Sequence, residues 1–329
     1  MIKKTIFTNW LLVFTSIIIT IILLEVLVRL FGFTPWHFYQ SDLNEPTINK
    51  YDSKVGWKPK EGVYIFPPKS DNAKDTTFTT LKDGSRFSGD SINVSKGDVV
   101  FIGGSITQGV AVDDKETFSF YLQNKLTDYK VKNYGVGGYG AYQSYLLLKD
   151  LLKNENNIKH IIYFFIEPHE IRNVGDASWL NILTRFSKRK HVNLPYAQLD
   201  KNDNLVEYLP IKYIELPFRK YSALITRVEK KIMRIKLYSK YKDEVKISQK
   251  IILKMKKISE KNGSKFLFIN LYSDKDKLKS YVEFSKKNKV TFVDCEHPLI
   301  EGFRVQNDGH PNAKSHKLYS DCIYSKVFN

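Results

Sequence analysis

Cysteine is nearly absent from this chain: its 329 residues hold two, Cys295 and Cys322. Without paired Cys or His spacings they form no zinc or iron–sulfur pattern, so no metal site is expected. An arginine-rich arm and an RNA-binding aromatic motif are missing too, which argues against nucleic acid as a partner. No internal repeat and no low-complexity tract interrupts the chain. Acidic side chains are few beside basic ones, 35 against 52, for a balance of +17. Such a balance can serve nucleic acid, an anionic membrane surface or acidic glycans. Here the excess is lysine spread along the chain, and it reads mainly as a solvated surface. What is plentiful is core material: 42% hydrophobic and 14% aromatic residues exclude global disorder and suffice for one large domain or two ordinary ones.

The amino terminus has the longest apolar run. Lys3 and Lys4 precede a stretch from Trp10 to Val28 broken only by Thr15, Ser16, Thr20 and Glu25. About 20 helical residues cross a bilayer core. Glu25 is costly in lipid, but it precedes Arg29 by one helical turn, so the two can pair near the exit. No small-x-small cleavage site follows; Arg29-Leu30-Phe31-Gly32-Phe33 comes instead, which favours an uncleaved anchor over a signal peptide. We expect a short cytoplasmic tail over 1–9 and a single transmembrane helix over 10–31. The two lysines stay inside, and the long carboxyl part crosses the cell (inner) membrane into the periplasm. Cys295 and Cys322 could oxidise there, and a disulfide and two buried thiols both stay open.

Residues 32–96 read as an extracytoplasmic connector packing on the edge of the domain. Pro35, Pro67-Pro68 and Asp83-Gly84 mark turns, and 63–66 and 77–80 suit short strands. From 97 to 329 the pattern alternates. Strand-like runs at 99–102, 131–134, 161–166, 266–271 and 290–293 are separated by helical stretches, beginning near Glu116, and a last helix spans about 312–327. Continuous apolar runs such as Ile161 to Ile166 imply strands buried on both faces of a parallel sheet. An insertion at about 173–243 interrupts it. Within it, 192–199 and 205–211 flank a turn at Lys201-Asn202-Asp203-Asn204, and Leu224, Ile225, Val228, Ile232 and Ile235 recur at helical spacing. Arg227, Lys230, Lys231 and Arg234 take that helix's other side. They fit a plain surface helix, or a basic face meeting a glycan or membrane.

Two loops carry chemistry. Val99-Val100-Phe101-Ile102 is followed by Gly103-Gly104-Ser105, a strand broken by glycines with a serine at the corner. That geometry exposes a nucleophile beside backbone N–H groups. A phosphate loop uses similar features, but its lysine is missing here. Near the end, Asn307-Asp308-Gly309-His310-Pro311-Asn312 precedes the last helix. A loop after a fifth parallel strand returns to the edge where Ser105 sits, so Asp308 and His310 can act as orienter and base. His316 competes for the base, while His37, His160, His191 and His297 lie in unremarkable settings.

Gly-Gly-Ser, Asn133-Tyr134-Gly135-Val136-Gly137-Gly138 and Asp-Gly-His-Pro-Asn, in this order and approximate spacing, resemble the blocks of the SGNH/GDSL hydrolase family. The anchor and Gly56-Trp57-Lys58-Pro59 resemble its membrane-anchored bacterial members, and the tail is similar to the Asp-x-His arrangement of proteins that acetylate bacterial exopolysaccharides. The resemblance implies a flavodoxin-like three-layer α/β/α sandwich with a mainly parallel sheet. It makes Ser105 the nucleophile, His310 the base and Asp308 its orienter. The oxyanion donors would be the N–H groups of Ser105 and Gly138, with His169 where the family has asparagine. Three departures stand out: Gly104 replaces the Asp of Gly-Asp-Ser, His169 replaces that asparagine, and the acid sits two residues before the histidine instead of three. The implied activity is a serine esterase or O-acyltransferase on an acylated, O-acetylated surface or cell-wall glycan, without a cofactor. A lipid ester hydrolase and a non-catalytic polysaccharide binding or assembly protein are the alternatives.

Overall fold

The computed structural model describes residues 2–37, 46–69, 74–91, 93–186, 192–237 and 243–329, with the backbone alone at 2–5. His191 and the side chains of Lys3 and Lys4 lie outside what is described. The apolar runs become the strands of one parallel sheet: β5 (Gly97–Gly103), β6 (Tyr129–Gly135), β7 (Ile158–Ile166), β10 (Lys265–Tyr272) and β11 (Thr291–Asp294). They lie side by side as β6-β5-β7-β10-β11. Val99 pairs with Val131, Val100 with Ile161, Phe268 with Tyr163 and Ile269 with Val293. Counted within the sheet this order is 2-1-3-4-5, the doubly wound flavodoxin arrangement, whose crevice opens between the first and third strands.

Side chains alternate across the strands, so each run feeds two cores. Val100, Ile102, Tyr163, Phe165 and Phe268 face one layer, formed by α4 (Ala141–Asn154), α8 (Glu244–Lys261) and α9 (Lys275–Lys287). Val99, Phe101, Ile162, Phe164 and Leu267 face the other, formed by α3 (Phe118–Gln123) and α10 (Ala313–Ile323). The fold is therefore the three-layer α/β/α sandwich with a parallel sheet. A disulfide joins Cys295, just past β11, to Cys322 in α10. The helix expected from Glu116 starts instead at Phe118, where the Thr117 hydroxyl accepts the Phe120 N–H and ends a short 3₁₀ turn at Asp114–Glu116.

Before the sheet come α1 (Ile2–Leu30) and two hairpins, β1 (Asn49–Asp52) with β2 (Gly56–Pro59) and β3 (Gly62–Phe66) with β4 (Thr76–Thr80). Helix α1 is long and apolar enough to cross a membrane over Ile6–Leu30, and its side chains there are open to the surroundings except at Glu25 and Val28, which are partly buried. The connector reaches further in than an edge. Trp57 is fully buried in the larger core, and a side chain at Gly56 would collide with the Asn193 carbonyl 2.2 Å away. The insertion supplies α6 (Ala177–Phe186), the antiparallel pair β8 (Asn193–Leu199) and β9 (Leu205–Lys212), and α7 (Ala223–Leu237). Helix α1 docks on α7 through Glu25. Its carboxylate accepts the Ser222 hydroxyl at 2.7 Å and the N–H groups of Ala223 and Leu224 at 2.9 Å each, capping that helix, while Arg29 completes the ion pair at 2.7 Å.

Candidate active site

Strand β5 ends in Gly103 and Gly104 follows it, because no side chain fits at either. A Cβ on Gly103 would stand 2.2 Å from the Thr107 hydroxyl, and one on Gly104 would stand 2.6 Å from His169 Nε2. The helix α2 (Ser105–Gln108) begins at the serine itself and stops at Gly109, whose φ of +74° suits glycine. As the first helical residue, Ser105 has an N–H with no acceptor within the helix. After β6, Val136 to Tyr139 form a turn closed by the Tyr139 N–H to Val136 carbonyl bond at 3.0 Å, with Gly138 at φ +84°. Among the described residues, neither the Ser105 nor the Gly138 N–H donates to the protein, so both are available to a ligand.

The tail loop returns to this rim. Asn312 holds it: its N–H donates to Phe303, its amide to Gly302 and Arg304, and its oxygen caps α10 by accepting from Lys314 and Ser315. His310 Nε2 lies 2.9 Å from Ser105 Oγ, and its Nδ1 bonds the Asp308 carboxylate. Lys69, from the connector, stands 3.4 Å from the other Asp308 oxygen. Burial alone would raise the Asp308 pKa. The hydrogen bond and charge of His310, with Lys69 behind them, overcome that and hold it at about 2. Asp308 is thus ionised at neutral pH and His310 Nδ1 is its donor, which leaves Nε2 to accept from the serine hydroxyl.

His316 is elsewhere. It is fully buried, stacked on Phe118, with Nδ1 accepting the Phe118 N–H at 3.1 Å. Burial, then Arg86, His310 and His297, push its pKa down to about 3. It is a neutral core residue.

His169 sits against Gly104. It too is buried; Nδ1 meets the Tyr163 hydroxyl at 2.8 Å, and Nε2 has no partner within the described residues. Burial and then the Arg172 charge drive its pKa well below the ordinary histidine value, so the ring is neutral. A neutral ring that accepts the Tyr163 O–H on Nδ1 carries its proton on Nε2. Its neighbour Glu170 is fully buried and bonded to Lys277 and Tyr281, which fixes the turn that presents the imidazole.

Four residues at this site have no role that the sequence assigns. Trp57 donates from Nε1 to the Gly137 carbonyl at 3.0 Å and takes the Tyr139 hydroxyl on its own carbonyl, pinning the glycine turn. Trp179, from the insertion, stands with Trp57 and Leu183 around Gly138; their nearest atoms lie 3.0–3.6 Å from where its Cβ would be. Arg86 is buried and gathers the end of α2: its guanidinium bonds the carbonyls of Gln108, Gly109 and Val112 and the carboxylate of Asp114. Lys69 is the fourth. Of the four, Trp57 alone stands in a stretch with a family resemblance, Gly56-Trp57-Lys58-Pro59, which marks the residue without giving its role.

Fold and site together define a class: a doubly wound α/β domain with a serine–imidazole–carboxylate chain at its switch point. No family model matches the sequence, and no curated protein matches it. Solved structures do. One is a member of the lipolytic protein G-D-S-L family from Veillonella parvula, 10% identical, covering 70% of this chain and 97% of that one, TM-score 0.40. Another is a psychrotrophic esterase from Pseudoalteromonas sp., 13% identical, covering 70% and 96%, TM-score 0.39. A third is an acetyl xylan esterase from Geobacillus stearothermophilus, 11% identical, covering 72% and 96%, TM-score 0.37. Likeness this distant carries no conclusion about chemistry, which rests on the residues themselves.

Proposed function

We propose that the protein is a membrane-anchored serine esterase or O-acyltransferase acting on an acylated, O-acetylated surface or cell-wall glycan. The observation that carries this reading is the continuous chain Ser105 Oγ, His310 Nε2, His310 Nδ1, Asp308. A serine hydroxyl attacks an ester only when a base takes its proton, and a base works best when an acceptor fixes its tautomer. Ser105 Oγ attacks the carbonyl carbon and its proton passes to His310 Nε2. The oxyanion accepts hydrogen bonds from Ser105 N–H, Gly138 N–H and His169 Nε2–H. Collapse breaks the ester bond, and His310 returns the proton to the departing alcohol. Water or a sugar hydroxyl then attacks the acyl-serine, with His310 again taking the proton and returning it to Ser105. Asp308 stays ionised throughout.

Two features support the substrate class. The indoles of Trp57 and Trp179 close around Gly138, which favours a short acyl group such as acetyl. The apolar helix α1 with its leading lysines, and the disulfide, suit a domain held outside the inner membrane in an oxidising compartment. A lipid ester is less well served by that narrow wall. A non-catalytic polysaccharide binder gives no reason for His310 to be held between Asp308 and Ser105. Labelling of the full chain with a fluorophosphonate probe tests the reading: wild type should react and Ser105→Ala should not. Equal labelling of both, or of neither, sinks it.

A further inference from the structure

Helix α7 presents three faces at ~100° per residue. Thr226, Glu229, Met233 and Leu237 are buried. Val228, Ile232 and Ile235 are exposed, at 43%, 39% and 65%. Between these stripes run Arg227, Lys230, Lys231 and Arg234. The basic stripe lines a cavity of about 520 Å³, within the usual range of small-ligand pockets, together with Arg185 of α6 and residues 32–34. Ser178 and Asn181 add neutral polar groups. Among the described residues no Asp or Glu lines it, and no carboxylate lies within ion-pair distance of Arg227, Lys230, Lys231 or Arg234. Glu229, one step away on the helix, is engaged with Arg219 at 3.2 Å on the buried side. Burial, then the charges of Arg185 and Arg227, pull the Lys230 pKa below its ordinary value against the opposing charge of Glu229, as expected where cations crowd together.

The position of the cavity selects its occupant. Residues 32–34 directly follow the apolar helix α1, and α7 starts on Glu25 of that helix, so the cavity opens at the depth of the lipid headgroups. The exposed stripe of α7 beside it, with Phe31 at 70%, Phe218 at 69% and Tyr221 at 77% exposed, is what an interfacial helix turns toward acyl chains. We infer that this cavity binds the phosphate headgroup of an anionic membrane phospholipid, seating the domain against the bilayer. The inference rests on the anchored reading above and assigns it a lipid preference.

The test uses the full chain in mild detergent, delipidated, with equimolar phosphatidylglycerol and phosphatidylcholine of matched acyl chains, read by native mass spectrometry. Wild type should retain phosphatidylglycerol preferentially. Each basic residue near an anionic headgroup changes affinity about fivefold, so Arg227→Gln/Lys230→Gln/Lys231→Gln should lose the preference by on the order of tenfold or more. Lys257→Gln/Lys261→Gln/Lys286→Gln, an equal charge change on exposed residues of α8 and α9, should keep it. The single exposed change Lys231→Glu, safe for folding, should weaken it severalfold. Equal retention of both lipids by wild type, or equal loss in the control variant, overturns the inference. So does full displacement of the lipid by millimolar inorganic phosphate, which would make the cavity a free-anion site. Carbonate extraction of membranes reads the anchor separately: release of the intact chain would defeat the anchored reading whatever the detergent result.

Discussion

The rim around Ser105 and the cavity beside α1 both concentrate charge, yet they treat it in opposite ways. At the rim the carboxylates are answered, Asp308 by His310 and Lys69, Asp114 by Arg86, Glu170 by Lys277, and the buried Arg172 guanidinium is held by the Tyr139 carbonyl and the face of Trp179. Beside α1, five cations, Arg185 and four from α7, line one cavity, and no carboxylate lines it among the described residues. A satisfied network fixes geometry, which catalysis needs before substrate arrives. An unsatisfied cluster stores an affinity for a charge that must come from outside. The comparison breaks if rim residues prove exchangeable, and it sharpens if their losses follow the bonds described.

The largest effect belongs to the two histidines. His310→Ala should lower kcat by about 10⁴-fold or more against an acetyl ester, with KM little changed. His316→Ala removes a buried ring that touches Phe118 and Tyr319 but nothing that reacts, so it should cost stability in denaturant unfolding and leave kcat within severalfold. Activity lost at 316 and kept at 310 would reverse the roles.

Arg86 comes next. Deleting its side chain leaves Asp114 buried without its cation and strips donors from three carbonyls after α2. Arg86→Ala should destabilise by about 3–5 kcal/mol in urea melts, the usual cost of breaking a buried pair. Burial lowers the Arg86 pKa to about 10 despite Asp114, so it stays charged at neutral pH and the loss should not vary between pH 6 and 8. A loss below 1 kcal/mol would show that the loop does not depend on it.

What the sequence displayed, and what it hid, divides along the same line. Strands whose residues are apolar without break, such as Ile161 to Ile166, announce burial on both faces, and the glycine corners and Asp-Gly-His-Pro-Asn announce tight loops at their ends. These are local signals. Arg86, Lys69, Trp57 and Trp179 act across separations such as the 239 residues between Lys69 and Asp308, from segments with no periodicity to read. A lone arginine in a connector looks like any surface charge until the carbonyls it gathers are seen. The pairing of Cys295 with Cys322 was equally hidden, because it depends on where α10 packs beside the end of β11.

Asp308 gives a smaller effect with a definite sign. Its folded pKa of about 2 lies below the ordinary carboxylate value near 4, so the stabilisation it brings is complete above that ordinary value. It is lost as pH falls through about 2. A drop from 3.8 to about 2 corresponds to about 2.5 kcal/mol. Asp308→Asn should therefore be less stable than wild type at pH 6 by that order, with the gap closing between about pH 4 and 2. A gap that stays constant down to pH 2 would mean that the carboxylate is not held by His310 and Lys69.

The smallest expected effect concerns the acyl group. Trp179 stacks under the Arg172 guanidinium at 4.3 Å and faces Gly138 with its ring edge, while Arg172 itself donates to the Tyr139 carbonyl at 3.0 Å. The indole therefore belongs to a wall beside an oxyanion donor, not to the triad. Trp179→Ala would open room there without touching a reacting atom. One methylene in an apolar pocket changes discrimination by roughly 10-fold or more, so the variant should lose several-fold on p-nitrophenyl acetate and gain on the butyrate. The ratio of the two kcat/KM values is the measurement, because a general loss of folding lowers both together. A ratio unchanged from wild type would place the acyl group away from Trp179 and remove the main structural support for acetyl as the transferred group.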